Sequence, residues 1–292
     1  MTRIDAHLHL WDPQLGVYSW LTPDLGPIHD RFTAQQARAE LDAAGIAEAV
    51  LVQAADDRRD TDAMLAVADD HPWVVGVVGW VDLEDPAAEA ELDRLQQHPA
   101  FCGVRQLVHD DPRPDVYALP AVHRTAGHLA RRGLTLDIPD AFPRDLPGAT
   151  ELARAVDGLT VVLDHLGKPP RGTSQWDRWR DQLADFAAVP GTVAKISGLA
   201  CATAPLTASA LRPTIEHALE CFGADRLMLG SDWPITVATE GYQGTQAVLD
   251  ATLDAVLDSA LGAAGPLSPA ELAAIRGGTA RRVYRRAEGG TR

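Results

Sequence analysis

The sequence predicts an α/β fold, a single closed (β/α)8 TIM-barrel domain over residues 1–292, on three observations. Eight short apolar runs rich in β-branched residues recur about every 30 residues, which is the length of one βα unit. Stretches rich in Ala and Leu, with helix start signals, separate these runs. No Gly-rich fingerprint follows an early run, so the barrel is favoured over the alternative, an open doubly wound sheet.

The eight candidate strands are these apolar runs, taken in chain order. They lie at 3–7, 49–54, 73–81, 102–108, 133–139, 159–165, 192–198 and 226–232. No linker or low-complexity segment interrupts the series, which indicates one continuous barrel.

Helix start signals stand between the strands. Thr33 and Gln36 have the spacing of a capping box. An Asp-Pro step at positions 85 and 86 opens another helix, and Ser268 with Glu271 opens the last one. The first connection is much longer than the others, at about 40 residues, and its segment 10–32 is predicted to be a lid-like or binding loop.

The composition narrows the choice of partners and compartment. A formal net charge of −15 argues against nucleic acid, whose binding depends on excess Lys and Arg. Neither an export signal nor a run of about 18 apolar residues is found, so we expect no membrane partner. The three cysteines are far apart and odd in number, which favours the reducing cytoplasm. The expected partner is a small molecule, and a homodimer is left open.

Reactive side chains cluster where the predicted strands end, which is where barrel enzymes build their sites. These side chains are His7, His9, Arg105, His109, Asp137, His165 and Asp232. The period of two along a strand sends His7 and His9 to one face, and it places His165 on one face with Leu163. One His-x-His pair is weak support for a site. Four His or Asp side chains at the same end of three strands are not explained by packing, since buried ionisable groups need partners or a function.

Six motifs carry a family resemblance. They are DAHLHLWD, GVRQLVHDDP, LDHLGKP, KISGL, GSDWP and GGTARRVY, and they run in this order from residue 4 to about residue 284. The chain resembles the amidohydrolase superfamily, in its amidohydrolase-2 branch of sugar-lactone hydrolases, such as L-fuconolactonases, L-rhamnonolactonases and pyrone-dicarboxylate lactonase. GSDWP and LDHLGKP are the more specific motifs, whereas His-x-His is shared across the wider superfamily.

The resemblance implies an amidohydrolase-like (β/α)8 barrel that opens a small lactone, with a place in carbohydrate metabolism. Asp232 would activate water to attack the lactone carbonyl, and His7, His9 and His165 would polarise that carbonyl or hold a metal. This chemistry suits a lactone, because ester hydrolysis needs a base for water, donors at the oxyanion and a proton for the leaving alkoxide.

Two expectations for a cofactor are kept. The enzyme strictly requires none, which we favour slightly, or it binds one divalent metal. The resemblance also implies that binuclear members of the superfamily supply a lysine or similar bridging ligand from the fourth strand and a histidine from the fifth. This chain offers Arg105 and Asp137 there, so we do not expect two metals. A single zinc or manganese would be held by His7, His9 and Asp232, because two histidines and a carboxylate suit a catalytic zinc.

Arg105 is the first candidate for binding substrate, since a guanidinium in a barrel mouth grips carboxylate or hydroxyl oxygens in a forked geometry. The alternative for Arg105 is a buried ion pair, with Asp137 as its partner. Asp137 and His109 are further candidates for substrate contact. The aromatic residues that could stack on a sugar are Trp11, Tyr18, Trp20 and Trp233, of which Trp233 has most weight because it follows Asp232.

Two other activities are kept beside the lactonase. The first is a metal-dependent decarboxylase of the same superfamily, and the second is a barrel that binds a sugar acid without turnover. The retained base and histidines argue against mere binding. The particular lactone, its stereochemistry, the oligomeric state and the roles of Lys195 and His29 are left open.

Overall fold

The protein is described here from a computed structural model, which describes residues 2–257 and 267–284. Eight parallel strands follow one another around a barrel in chain order. They are β1 (Ile4–Leu8), β2 (Glu48–Val52), β3 (Val74–Gly79), β4 (Phe101–Arg105), β5 (Thr135–Ile138), β6 (Thr160–Leu163), β7 (Thr192–Ile196) and β8 (Leu227–Leu229). The predicted TIM barrel and its eight strand positions are confirmed, although several strands end earlier than the apolar runs do.

The seam between the first and last strands is closed by backbone hydrogen bonds just beyond β8. The His9 amide donates to the Trp233 carbonyl at 2.7 Å, and the Asp232 amide donates to the His7 carbonyl at 2.9 Å. These bonds place the residues that follow β8 beside the end of β1.

Helices surround the barrel. They are α1 (Ala34–Ala43), α2 (Arg58–Asp70), α3 (Ala88–Leu95), α4 (Pro120–Arg132), α5 (Leu146–Ala155), α6 (Trp176–Ala187), α7 (Ala208–Phe222), α8 (Gly241–Leu257), α9 (Pro269–Ala273) and α10 (Thr279–Tyr284). Both predicted capping boxes are present, with Thr33 at the start of α1 and Ser268 at the start of α9. The predicted start at the Asp-Pro step is slightly wrong. Asp85 accepts a hydrogen bond from the Ala87 amide in a preceding turn, and α3 begins only at Ala88. None of the helices in the described ranges is long and apolar enough to span a membrane.

Two groups of buried apolar side chains stabilise the barrel. The larger group packs the helices onto the outer faces of the strands. The smaller group draws side chains from seven of the eight strands together with α10, so it fills the interior below the mouth. Tyr284, on α10, is only 2% exposed and closes this interior from the N-terminal end of the barrel.

An irregularity in β1 positions the first functional side chains. The pairing of β1 with β2 shifts register between Asp5 and Leu8, as in a β-bulge. The Asp5 carboxylate accepts hydrogen bonds from the His7 amide at 3.1 Å and from the Ser231 amide at 2.9 Å. This buried carboxylate therefore ties the bulge of β1 to the turn that follows β8.

The long first connection is anchored through its aromatic side chains. The Trp11 indole donates to the Asp30 carbonyl at 3.0 Å within the loop itself. The Tyr18 hydroxyl donates to Asp60 on α2 at 2.7 Å, and the Trp20 indole donates to the Ala54 carbonyl at 2.7 Å. These bonds hold the loop 10–32 against the barrel mouth.

Candidate active site

The two histidines of β1 meet inside the barrel mouth. Both are buried, and the His7 Nε2 and His9 Nε2 atoms lie 3.0 Å apart. The His9 Nδ1 atom lies 2.7 Å from the Val52 carbonyl oxygen, which can only accept a hydrogen bond. The proton of a neutral His9 is therefore on Nδ1, and its Nε2 presents a lone pair to the cavity.

Asp232 stands directly opposite these histidines. Its Oδ1 atom lies 3.6 Å from His7 Nε2, 3.4 Å from His9 Nε2 and 3.8 Å from His165 Nε2. The carboxylate is buried and its backbone has a left-handed φ of 60°. The structure thus brings together the four side chains on which the predicted chemistry depends.

His165 reaches the site by a route that strand alternation does not describe. β6 ends at Leu163, and His165 follows in a short helical turn with a left-handed φ of 56°. Its Nδ1 atom lies 2.9 Å from the Ser197 hydroxyl, and its ring centroid lies 4.5 Å from that of His7. The prediction that His165 lies on the same strand face as Leu163 is wrong. The turn after β6, and not the strand, sets the direction of the imidazole.

A network of buried charges lies beneath the histidines. The Lys195 ammonium lies 2.7 Å from Asp137 Oδ2 and 2.9 Å from Asp164 Oδ1. Arg105 Nη1 donates to Asp164 Oδ2 at 3.0 Å, and His7 Nδ1 lies 3.2 Å from Asp164 Oδ1. Asp164 was missed by the sequence analysis, although it stands inside the quoted LDHLGKP motif.

Burial and charge act in opposite directions on the groups of this network. Burial by itself would raise the pKa of Asp164, but Lys195, His7 and Arg105 outweigh it and hold that pKa well below its usual range. Burial would likewise lower the pKa of Lys195, yet Asp137 and Asp164 raise it. The carboxylate of Asp164 and the ammonium of Lys195 are therefore both charged although neither is exposed.

Asp137 and Trp233 do not line the cavity, which corrects their assignment as substrate contacts. Asp137 accepts hydrogen bonds from Lys195, Thr135 and Tyr284, so its carboxylate is fully engaged in the floor of the barrel. Trp233 is 3% exposed and packs edge-on against Phe32, with ring centroids 5.2 Å apart.

Arg105 combines the two roles considered for it. It forms a buried ion pair, but with Asp164 rather than with the expected Asp137. It also lines the cavity above the histidines. β4 ends at Arg105, so His109 lies in a separate turn (Val108–Asp110) and still reaches the cavity wall.

The cavity at the mouth has a volume of about 260 Å³. It is lined by His9, Trp11, Trp20, Ala54, Arg105, Leu107, His109, Asp110, Pro139, Asp140, His165, Lys168, Asp232 and Ile235. Asp140 and Lys168 were not predicted. Both could have been found from position, since Asp140 follows the fifth predicted strand directly and Lys168 belongs to LDHLGKP. His29 is outside this lining.

A larger cavity of about 650 Å³ lies between the loop 10–32 and α2. Its walls are mostly apolar, and its buried carboxylate, Asp60, already accepts hydrogen bonds from Tyr18, Ala54 and Ala55. The buried carboxylate of the larger cavity is therefore already engaged, whereas the smaller cavity contains His9, His165 and Asp232, so the smaller cavity is the candidate active site.

Two sets of three side chains in the described ranges could hold a metal ion. One is His7, His9 and Asp232, and the other is His7, Asp164 and His165, with ligand atoms within 4.8 Å of one another in each set. The first set matches the prediction, and its separations of 3.0 to 3.6 Å suit a zinc ion, whose tetrahedral ligands lie about 3.3 Å apart. In the second set Asp164 is already engaged by Lys195 and Arg105.

The surroundings of His7 fit either a metal-bound or a metal-free site. Its Nδ1 atom lies 3.1 Å from the Lys195 ammonium, a donor, and 3.2 Å from an Asp164 oxygen, an acceptor. When Nδ1 carries the proton it donates to Asp164 and leaves Nε2 free as a ligand. When Nε2 carries the proton, Nδ1 accepts from Lys195.

Burial and charge favour neutral forms of His7 and His165 and the charged form of Asp232. Burial lowers the pKa of His7 well below its usual value and also lowers the pKa of His165. Burial alone would raise the pKa of Asp232, but His165, His9 and Lys168 outweigh it and hold that pKa well below the ordinary range. At neutral pH the Asp232 carboxylate therefore faces two neutral imidazoles, those of His7 and His165.

The sequence and the structure are both similar to those of known amidohydrolases. The family model described as amidohydrolase matches residues 4–286. An L-fucono-1,5-lactonase of Burkholderia ambifaria is 32% identical over 235 residues, covering 80% of this chain and 81% of that protein. An L-fucono-1,5-lactonase of Burkholderia multivorans is 30% identical over 294 residues, covering 97% and 95%. A crystal structure of a Burkholderia multivorans amidohydrolase with bound zinc superimposes with a TM-score of 0.85 at 27% identity, covering 97% of this chain and 99% of that one.

Proposed function

This chain belongs to the amidohydrolase family, and from that premise we propose that it is a lactonase that opens a small sugar aldonolactone. The observation that carries the proposal is the position of the Asp232 carboxylate, within 4 Å of three buried imidazoles at the base of a cavity. The names of its two lactonase relatives support the same reaction.

Asp232 is proposed as the base. It is ionised and accepts one proton from a water molecule as the water oxygen bonds to the lactone carbonyl carbon. The ring carbon–oxygen bond then breaks, and the same proton passes from Asp232 to the leaving alkoxide. One water is consumed and one hydroxy acid is formed. Because a carboxylate with a low pKa is a weak base, stabilisation of the oxyanion has to supply much of the rate enhancement.

The oxyanion is assigned to the imidazole side of the cavity. His165 Nε2 and Arg105 are the hydrogen-bond donors available there when the neutral His165 carries its proton on Nε2. A divalent cation held by His7, His9 and Asp232 would add Lewis-acid polarisation of the carbonyl or a more acidic water. The zinc bound in the related Burkholderia structure makes zinc the metal that we propose for this set.

The cavity suits a small polar ring. Its volume of about 260 Å³ is below the 300 Å³ or so at which pockets for drug-sized ligands begin. Trp11 and Trp20 form one wall, with ring centroids 5.2 Å apart, and can pack against the apolar face of a sugar. The odd number of cysteines, three in the sequence, also suits the cytoplasm, where we place this reaction.

The test is a pH-indicator assay over a panel of sugar lactones, because lactone opening releases acid. We expect the wild-type protein to hydrolyse at least one aldonolactone. Asp232→Asn should lower kcat about 100- to 10,000-fold, since it removes the base. Asn tolerates the left-handed backbone of this position, so the variant should keep its thermal stability.

The matched control is Asp157→Asn, which removes an exposed carboxylate far from the cavity and should keep full activity. Near-normal turnover by Asp232→Asn would reject the proposed base. Release of carbon dioxide from an aromatic acid, without acid release from any lactone, would instead support the decarboxylase.

A further inference from the structure

Two charged side chains of the cavity wall have no assigned contact with the substrate, although Lys168 helps to lower the pKa of Asp232. Asp140 lies two residues beyond β5, and Lys168 follows the turn that carries His165. Both line the cavity, and their side chains are 38% and 34% exposed. They are accessible to a ligand without being free in solvent.

The separation of these two groups is too long for a direct hydrogen bond. Lys168 Nζ lies 3.8 Å from Asp140 Oδ2 and 4.0 Å from Asp232 Oδ2. Asp140 Oδ1 lies 3.9 Å from His165 Nε2. Within the described ranges the Asp140 carboxylate makes no hydrogen bond.

Lys168 is held in this position rather than extended into water. Its backbone is left-handed, with φ of 62°, and its ammonium donates to the Gly198 carbonyl at 3.1 Å. One of its three N–H groups is used in this way, and two remain for other partners. The Lys168 ammonium, a hydrogen-bond donor, therefore faces the Asp140 carboxylate, an acceptor, across a gap of 3.8 Å.

A hydroxyl group fits such a gap, because it donates one hydrogen bond and accepts another. We propose that Asp140 and Lys168 together bind the ring hydroxyl on the carbon next to the lactone carbonyl. Asp140 accepts the hydroxyl proton, and Lys168 donates to the hydroxyl oxygen. The preferred substrates are then 2-hydroxy lactones. This inference rests on the proposed lactonase reaction and adds its substrate selection.

The position of Asp232 selects this hydroxyl among those of a sugar ring. Asp232 delivers water to the carbonyl carbon, and Lys168 Nζ lies 4.0 Å from Asp232 Oδ2 on the side facing Asp140. A hydroxyl one carbon from the carbonyl is the nearest that the substrate can place there. An ion pair between Asp140 and Lys168 does not by itself explain their positions. A pair at 3.8 Å whose side chains are 38% and 34% exposed contributes little to stability.

The experiment compares two substrates, a sugar δ-lactone with a hydroxyl at carbon 2 and its 2-deoxy counterpart. We expect the wild-type protein to prefer the hydroxylated lactone about 10- to 100-fold in kcat/KM, the range for hydrogen bonds to charged groups. Asp140→Ala and Lys168→Met should each bring this ratio close to one. Lys168→Arg should restore part of the preference, because it keeps a donor.

The matched control is Asp110→Asn, which removes another carboxylate from the rim of the same cavity and should keep the wild-type ratio. The inference is overturned if the wild type does not discriminate, or if the variants lower kcat/KM equally for both lactones. Failure of the wild type to hydrolyse any lactone is a different result, since it rejects the lactonase reaction itself.

Discussion

The candidate base and three residues that follow β6 have a left-handed backbone. They are His165, Leu166, Lys168 and Asp232, with φ between 52° and 62°, and they are all of the non-glycine residues with positive φ in the described part of the chain. Such conformations cost about 1–3 kcal/mol each and persist where the surrounding structure requires them. Here they turn the chain sharply after β6 and β8, so that side chains on two strand ends point at one cavity.

Gly198 shows how closely the chain approaches the reacting groups. A Cβ atom at this position would lie 2.5 Å from His165 Nδ1 and 2.6 Å from Asp232 Oδ2. We expect Gly198→Ala to displace both side chains and to lower kcat/KM for a lactone at least about 100-fold, as a misplacement of about 1 Å does elsewhere. Steady-state kinetics on the purified variant measure the loss.

The control for backbone strain is Gly158→Ala. Gly158 has a left-handed φ of 76°, and a Cβ atom there meets nothing within 4 Å. This variant should lose about 1–2 kcal/mol of unfolding free energy and keep its activity. Equal activity of the two variants would show that crowding at Gly198 is unimportant.

At the scale of elements, the loop 10–32 acts as a wall anchored to α2 and to the end of β2. Tyr18→Phe removes the hydrogen bond to Asp60 and leaves one oxygen of that buried carboxylate without this partner. We expect a loss of about 1–3 kcal/mol of unfolding free energy in chemical denaturation. A higher KM should accompany it, because Trp11 and Trp20 reach the cavity from this loop.

Tyr117→Phe is the control for this prediction. Tyr117 is also buried, but its hydroxyl makes no hydrogen bond to any described residue. Its replacement should change the unfolding free energy by less than about 0.5 kcal/mol. If Tyr18→Phe behaves in the same way, the loop is held by its apolar contacts and not by the Tyr18 hydroxyl.

At the scale of the whole molecule, buried charges connect neighbouring strands of the barrel with one another and with α10. Lys195 on β7 is paired with Asp137 on β5 and with Asp164 after β6, and Tyr284 on α10 reaches Asp137 from below. Lys195→Met leaves more negative than positive charge in this buried network. We expect a loss of about 3–5 kcal/mol of unfolding free energy, the usual cost of breaking a buried pair.

A double variant distinguishes charge balance from packing. Replacing a buried ion pair by apolar side chains is often neutral or stabilising, so Asp137→Leu combined with Lys195→Met should recover part of the lost stability. Chemical denaturation of the two single variants and the double variant gives the coupling. If the losses of unfolding free energy in the two single variants add up in the double variant, charge balance is ruled out, because the charges of Asp137 and Lys195 would then not compensate each other.

The sequence by itself determined the barrel, the places of its strands, both capping boxes and the grouping of His7, His9 and Asp232. The strands and the capping boxes are local features, because hydrophobic periodicity and capping spacing follow from neighbouring residues. The grouping of His7 and His9 with Asp232 follows instead from the rule that the strands of a barrel all end at one mouth. The family motifs added the expectation that Asp232 is a base.

Only the tertiary structure decided which charged groups lie next to one another at the mouth and in the floor of the barrel. In the structure Arg105 pairs with Asp164, Asp137 lies in the floor of the barrel, and Asp140 lies opposite Lys168. The physical reason is that distances between strands depend on register shifts, left-handed turns and closure of the sheet. None of these has a strict period in the sequence, so residues at equivalent places in the sequence lie in the cavity wall in one case and in the buried charge network in another.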